Sequence, residues 1–410
     1  MFADAAEGVS DDPFQLYYGE DNSVIYLDNA ATTPVKAEVL KTMLPFFSEY
    51  YGNASNVYSL SLVSRRALDS AREAVAKAVN AKLPAEIFFT GCGTEADNLA
   101  VIGIAKSRRE QGNHIITSAV EHHAVLNACD YLRREGFEIT KLPVDKFGLV
   151  RPEQVAEALR PDTVLVSIMT ANNEVGTLEP IAEIADAVRG HQAYFHTDAI
   201  QAIGAAPIDV QNTGIDALSI SAHKFGGPKG VGALYLRTGV RPLPVNYGGG
   251  QERGLRSGTE NVAGIVGLAK AISLAYRNFE EKISLWKSKR DYLIKNILEK
   301  VPYAQLTGHP ERRLPGHASF VFAGVEGESL VMQLDRQGIC ASSGAACASS
   351  ALGVSHVLEA MKTPQARGSL RLTVDWEIDY ADLDKAVEAI AKSVKKLQSR
   401  APKSSFAELR

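Results

Sequence analysis

Residues 215–230 read Ile215-Asp-Ala-Leu-Ser-Ile-Ser-Ala-His-Lys224-Phe-Gly-Gly-Pro-Lys-Gly230. A strand-like run ends on a lysine, and a glycine-rich turn follows. An amine placed where a buried strand opens into such a turn loses hydration, so its neutral, nucleophilic form becomes easier to reach. A lysine of that kind can condense with an aldehyde. Lys229 competes for the role, but between Pro228 and Gly230 it sits in a turn open to water. Lys224 is the stronger candidate, and its neighbours Ser221 and His223 are groups able to hold a phosphate.

Around this stretch, short apolar runs alternate with segments of 3.6-residue period. The runs at 86–89, 114–119, 138–144, 163–169, 193–198, 217–222 and 232–236 read as strands. Continuous β-branched runs alternating with helices predict an α/β fold: a mostly parallel seven-stranded sheet covered on both faces. The run at 232–236 follows its neighbour by a short turn and is the one antiparallel candidate. Ligands of such sheets bind beyond the carboxyl ends of the strands. Thr90, Gly91, Asp198 and Lys224 all fall at that edge. After the glycine-rich segment 248–258 the character changes. A helical pattern at 263–301, unbroken by proline, is long enough to link two domains. The predicted division is a large domain at 24–262 and a smaller α+β domain from 1–23 and 263–410, with elements at 317–325, 327–338, 368–374 and 379–397.

Composition narrows the functions. The chain has 410 residues, 45% hydrophobic and 22% charged, which exceeds what one core usually holds and fits two domains. Its net charge is -4, and no basic cluster interleaves with aromatics, which argues against direct nucleic-acid binding. No stretch approaches the roughly 18 consecutive apolar residues of a membrane span. The first 22 residues hold six acids and no Lys or Arg, opposite in sign to a leader, so a cytoplasmic protein is expected. The four cysteines are scattered, without metal spacing or disulfide density.

Gly91-Cys92-Gly93-Thr94-Glu95 ends a predicted strand and opens a helix. Backbone N–H groups there are unpaired and face the positive end of the helix dipole, which favours a phosphate. The spacing also fits a dinucleotide pattern, weakly, because the surrounding unit is missing. An ordinary capped helix is the other reading. Asp198 closes the run Tyr194-Phe-His-Thr-Asp198. A carboxylate among apolar residues needs a cation or hydrogen bonds. Capping the next helix would satisfy it, and so would a protonated pyridine nitrogen. An ion pair at about 4 Å and an effective dielectric of about 20 is worth roughly 4 kcal/mol before desolvation. Such a pairing makes the ring an electron sink. Gln201, one turn later, is placed to donate to a phenolate-type oxygen.

Cys347 lies in Ala341-Ser-Ser-Gly-Ala-Ala-Cys-Ala-Ser-Ser350, among residues too small and polar to build a core. Free cysteines are usually buried, but loops run at the surface, so an exposed thiol on a mobile loop at about 340–354 is the expectation. No charged sequence neighbour activates it, so activation must come from spatial partners. Cys129, on a predicted helix, and Cys340, ending an apolar helical pattern, read as structural. Cys92 lies inside the phosphate loop with its role open.

The ordered set of motifs resembles the cysteine desulfurases, pyridoxal-phosphate enzymes of fold type I in the class-V aminotransferase family, of the group with a long catalytic loop. The similarity is carried by Tyr26-Leu-Asp-Asn-Ala-Ala-Thr-Thr33, Glu121-His122, Asn172-Asn-Glu-Val-Gly176, His196-Thr-Asp-Ala199 and Ser221-Ala-His-Lys224. Arg253-Gly-Leu-Arg-Ser-Gly-Thr259, Ser342-Ser-Gly-Ala-Ala-Cys347 and Ser369-Leu-Arg371 complete it. The resemblance implies pyridoxal 5′-phosphate as cofactor, with Lys224 as the lysine that binds its aldehyde, Asp198 on the pyridine nitrogen and Gln201 on the ring oxygen. His122 would stack on the ring and move protons; a surface histidine beside His123 is the bland alternative. Gly93, Thr94, Ser221 and His223 would hold the phosphate, joined by Thr259 from a second subunit of a homodimer. Asn173 and Arg371 would position substrate, a guanidinium suiting a carboxylate through two parallel hydrogen bonds. A surface ion pair is the alternative for Arg371. L-cysteine would lose its sulfur to Cys347 as a persulfide, leaving alanine, and an acceptor protein, an iron–sulfur scaffold or a tRNA-thiolation protein, would take the sulfur.

The chain departs from the family at Ala54, where Pro is usual, at Tyr58, where His is usual, at Ser61 and at Ala345. None removes a group that the chemistry requires. The nearest rival is a selenocysteine lyase or another pyridoxal-phosphate C–S lyase, which would tolerate loss of Cys347. A small-molecule aminotransferase needs no thiol loop. Outside catalysis, an inactive iron–sulfur assembly scaffold would keep the fold, but Lys224, Asp198 and Cys347 are all intact. A nicotinamide dehydrogenase is weaker still.

Overall fold

The computed structural model describes residues 24–344 and 354–401. The chain starts with a two-residue strand, Ile25–Tyr26 (β1). It then builds a sheet from Ile87–Thr90 (β2), His114–Ser118 (β3), Glu138–Leu142 (β4), Thr163–Ser167 (β5), Tyr194–Asp198 (β6), Ala217–Ser221 (β7) and Gly232–Leu236 (β8). The seven strands run in the order β2-β8-β7-β6-β5-β3-β4. Only β8 is antiparallel to its neighbours; the remaining pairings are parallel. This is the predicted α/β class and sheet.

Burial explains the strand composition. Every residue of β5 and β7 is buried, because helices cover both faces and leave no solvent side to alternate with. The edge strand β4 is the exception and carries Glu138 and Lys141 at exposed positions, which blunts the free edge. On one face lies the helix Gly93–Ser107, whose Leu99 and Ile104 pack with Val125, Leu132 and Leu234. On the other, Val75 of the helix Ser59–Ala78 and Leu268 and Ile272 of the helix Val262–Tyr276 share a core with Ile87, Phe195 and Ile220.

A second, three-stranded antiparallel sheet comprises Ala304–Leu306 (β9), His317–Phe322 (β10) and Ser369–Thr373, in the order third, second, first. Between them in sequence, Ile339–Cys340 (β11) pairs in parallel with β1, and Ser369–Thr373 is therefore β12. Ile25 and Leu27 pack into this sheet's core with Phe320, Leu334 and Val387.

Two expectations need correction. The pattern at 263–301 is not one helix: Val262–Tyr276 and Phe279–Lys300 are separated at Asn278, which adopts φ 53. Asparagine enters the left-handed region more readily than most residues, so no Gly or Pro marks the break. The break redirects the chain from one core to the other, Leu268 and Ile272 packing in the first and Leu293 and Ile297 in the second. Cys340 does not end a helix. The helix Gly327–Asp335 stops first, Gly338 turns with φ 73, and Cys340 lies on β11. No helix among the described residues is long and apolar enough to cross a membrane.

Candidate active site

Adjacent strands β6 and β7 end side by side, with Asp198 in register with Ser219. A single 3-10 turn, Ala222–Lys224, carries the chain off β7 and leaves Lys224 at the sheet's carboxyl edge, half-buried, while Lys229 is exposed. Lys224 Nζ donates to the carbonyls of Ala30 at 2.6 Å and Ala31 at 2.9 Å. The same Ala30 carbonyl accepts from Gln201 Nε2 at 3.0 Å. This turn is fixed from the far side, since Ala30 N–H donates to Thr373 Oγ1 at 2.8 Å and Asp28 Oδ1 accepts from Arg371 Nη2 at 2.7 Å. The segment Asp28–Ala31 therefore joins lysine and arginine across the two sheets.

Asp198 is buried and accepts from the Ile200 N–H at 2.9 Å. Burial pushes its carboxyl up to about 6, against the pull of the Ile200 amide and of Lys224. His122 caps the helix His123–Arg134, its Nδ1 accepting from the Ala124 N–H at 3.1 Å. Burial, with Lys224, His123 and His356 adding to it, pushes this imidazole down to about 4. The ring is neutral near pH 7, with its proton on Nε2. Within β6, His196 is buried between the hydroxyls of Ser167 at 2.9 Å and Ser219 at 3.0 Å, and burial holds it neutral too, pushed down to about 3.

Glu121 adjoins His122 and gives a pH-dependent expectation. Its Oε1 accepts from Ser118 Oγ at 2.7 Å and the Met169 N–H at 3.0 Å, and burial above all raises it from 4.5 to about 8. The folded state thus binds the extra proton between those values, so this group's contribution to stability falls as pH rises through that window. Glu121→Gln should gain on the wild type by about 1–3 kcal/mol between about pH 5 and about pH 8. Urea midpoints at both pH values test this; an equal difference at each would contradict it.

At the start of the helix Gly93–Ser107, the amides of the first turn have no carbonyl partner within the helix. A Cβ on Gly93 would lie 2.3 Å from Ile200 Cδ1 and 3.0 Å from Ser221 Cβ, so only glycine lets the helix start approach the end of β7 this closely. Thr94 is exposed on that turn, and His223 Nδ1 is 3.1 Å from Thr32 Oγ1. Cys92 caps the helix and is exposed. Glu95 accepts from the Gly91 N–H at 2.9 Å and pairs with Arg256 at 2.8 Å; Thr259, shortly beyond Arg256, is exposed. Beneath lies Asp97, fully buried, with no hydrogen-bond partner for either oxygen among the described residues.

Arg371 stands on β12 and is buried, not the surface ion pair of the bland reading. Besides Asp28 it holds the Asn173 carbonyl through Nη1 at 2.9 Å, while its buried Nε has no partner among the described residues. Cys347 lies outside the described residues. Cys129 is buried, its thiol pushed up to about 12 by burial, which leaves it inert. A cavity of about 610 Å³ between the sheets is walled by Lys224, Gln201, Asn29, Trp286 and Trp376; Thr94, His122 and Asp198 are not on its walls, so it backs onto the site without being it.

Sequence reasoning missed Asp28 and Glu121 as parts of this site. The motif Tyr26–Thr33 signals that the segment matters, but which residue grips Arg371 is written only in the fold.

A buried carboxylate and a lysine at adjacent carboxyl strand ends, over a helix start that a side chain would close, define a fold type I pyridoxal-phosphate enzyme. The chain belongs to the class-V aminotransferase family, whose family model matches residues 25–385. It is 49% identical to a cysteine desulfurase IscS of Methanosarcina thermophila over 384 residues, covering 93% of this chain and 95% of that one. It is 44% identical to cysteine desulfurase NifS of Azotobacter vinelandii, covering 92% and 94%. A solved NifS-like protein superposes with TM-score 0.85 at 36% identity, covering 91% of this chain and 100% of its own. The cofactor of this chain is pyridoxal 5′-phosphate. The donor set fits it: Asp198 is a buried carboxyl whose charge a protonated ring nitrogen would satisfy, and the Gly93 turn offers unpaired amides to a phosphate.

Proposed function

We propose that this chain is a cysteine desulfurase in which Lys224 and Cys347 carry the two halves of the reaction. The observation that supports it most is the convergence of Lys224 and Arg371 on the Asp28–Ala31 turn, an amine held on one side and a guanidinium on the other.

When the cofactor is bound, Asp198 would pair with its ring nitrogen, Gln201 would donate to its ring oxygen and His122 would stack on the ring. The first-turn amides at Gly93 and Thr94, with Ser221 and His223, would hold the phosphate, and Thr259 contributed from a second copy would complete that cradle. Bound pyridoxal phosphate supplies an electron sink for the pair left at the substrate Cα. Arg371 and Asn173 orient the carboxylate of L-cysteine. The Lys224 amine takes the Cα proton, and the neutral His122 imidazole is available to pass protons to and from the substrate. Cys347 then attacks as the thiolate: a bond forms between its sulfur and the substrate sulfur, the substrate C–S bond breaks, and alanine leaves. The persulfide passes to an acceptor protein, an iron–sulfur scaffold or a tRNA-thiolation protein.

The enzyme acts as a cytoplasmic homodimer. Exposed Phe47, Tyr51, Val57 and Tyr247 leave apolar surface that a second copy would cover.

Arg371→Lys keeps the charge and loses the paired donors, so KM for L-cysteine should rise about 10- to 100-fold, more than kcat falls. Initial rates across substrate concentrations check this, and an unchanged KM would count against the assignment. The whole reading is tested by mass spectrometry of the Cys347 peptide after L-cysteine: one added sulfur is expected, and its absence during turnover favours a lyase that bypasses this thiol.

A further inference from the structure

The ion pair between Arg256 and Glu95 has no assigned part in this chemistry, yet it lies against the turn that would hold the phosphate. Glu95 stands in the first turn of the helix Gly93–Ser107. Its Oε2 accepts from the Gly91 N–H at 2.9 Å, which folds the carboxylate back onto residues 91–94. Arg256 Nε donates to Oε1 of the same carboxylate at 2.8 Å. The two side chains are only 25% and 17% exposed, so water and salt screen this pair less than one at the surface.

A carboxylate at this place poses an electrostatic problem. The first turn of a helix attracts anions through its unpaired amides and the positive end of the dipole. Glu95 already supplies one negative charge there, and a phosphate monoester brings nearly two more at neutral pH. Charges of like sign repel strongly where solvent is partly excluded. Arg256 cancels the first charge and leaves the amides of the turn to the second.

The guanidinium arrives from a loop that is fixed in advance. Between β8 and the helix Val262–Tyr276, Glu252 and Arg253 adopt φ 45 and φ 58, a region costly for residues that carry a Cβ. Contacts around β2 and from the helix Ser59–Ala78 hold them there. Glu252 is buried and accepts from two guanidinium nitrogens of Arg72 at 2.8 and 2.7 Å, and from the Phe89 N–H at 3.0 Å. Arg253 Nη2 donates to the Ala85 carbonyl at 2.8 Å. Leu255, next to Arg256, is buried in the core that holds Leu99, on the same helix as Glu95. Arg256 thus meets Glu95 from a set direction, and the pairing orders side chains alone.

We propose that Arg256 is a positioning residue for the cofactor's phosphate, acting through Glu95: it neutralises the carboxylate folded onto the 91–94 turn and so keeps that turn attractive to a dianion. The inference rests on the phosphate being held at this turn, as read above.

The test is made in binding rather than turnover. Protein stripped of its cofactor is titrated with pyridoxal 5′-phosphate and, separately, with pyridoxal, which lacks the phosphate. Arg256→Ala should weaken binding of the phosphate form about 10- to 100-fold and of pyridoxal by no more than about twofold. Glu95→Gln, whose carbonyl oxygen still accepts from Gly91, should bind the phosphate form at least as tightly as the wild type. Added to Arg256→Ala, it should regain most of the loss. Wild-type affinity in Arg256→Ala overturns the proposal, as does equal weakening toward both ligands. A double variant as weak as Arg256→Ala also overturns it, because the guanidinium would then act without Glu95. If Arg256→Ala does not fold, Arg256→Gln removes the same charge, keeps a donor for Glu95 and carries the same outcomes. Equal affinity of the wild type for the two ligands would instead refute the phosphate turn itself, whatever Arg256 does.

Discussion

Lys224→Ala is expected to abolish turnover, lowering kcat by more than about 10³-fold, because no other amine can take over its proton transfer. Lys229 is exposed in the following turn. The Lys224 amine lies within 2.6 Å of the Ala30 carbonyl and shares its surroundings with both Asp198 and His122. Borohydride treatment of the wild type should fix the cofactor to the peptide containing Lys224, and the variant should yield no such adduct. The fold should survive, since the buried Ala30 carbonyl keeps its hydrogen bond from Gln201 and Ala31 is exposed, so the loss costs about 1 kcal/mol. Retained activity in a folded variant would end the lysine assignment. Stability and turnover are read separately, so an inactive, unfolded protein cannot pass for a confirmed prediction.

Cys347→Ala separates the desulfurase reading from its rivals. The variant should keep the cofactor's colour and respond to L-cysteine with the same absorbance change, because Lys224, Asp198 and Arg371 are untouched. Sulfide release under reducing conditions should fall by more than about 100-fold, since without an enzyme thiolate the C–S bond has no positioned nucleophile. A selenocysteine lyase or other C–S lyase would lose little. A colourless wild-type protein would instead support an inactive scaffold. Two of the other three cysteines offer no substitute: Cys129 is buried, and Cys340 is half-buried on β11 with its thiol pushed up by burial; Cys92 is exposed at the helix start, so the variant is also made on a Cys92→Ala background.

Much of this was readable before any coordinates. The strand runs at 163–169 and 217–222 lack alternation because a parallel sheet buries both faces, and that property alone places Asp198 and Lys224 at one edge. The turn at Gly93 could be read as a phosphate site or as an ordinary capped helix, and what the fold adds is why the residue is glycine: Ile200 and Ser221 leave no room for a side chain. What resisted reading was pairing at long range. Asp28 grips Arg371 across 343 residues and Glu174 meets Ser355 across 181, and no local pattern encodes either partner. The break at Asn278 was also hidden, because helical periodicity runs through it and only the change of core demands it.

The amino-acid order by itself thus determined the parallel sheet, the amine and the carboxylate at its carboxyl edge, and a thiol set among small residues, because hydrophobic period and turn chemistry are local properties of a chain. Tertiary structure alone decided that Arg371 is buried and held by Asp28, that His122 is neutral, and that the Asp28–Ala31 turn joins Lys224 to Arg371. Burial and long-range contact set those features, and they exist only once the two cores have packed together.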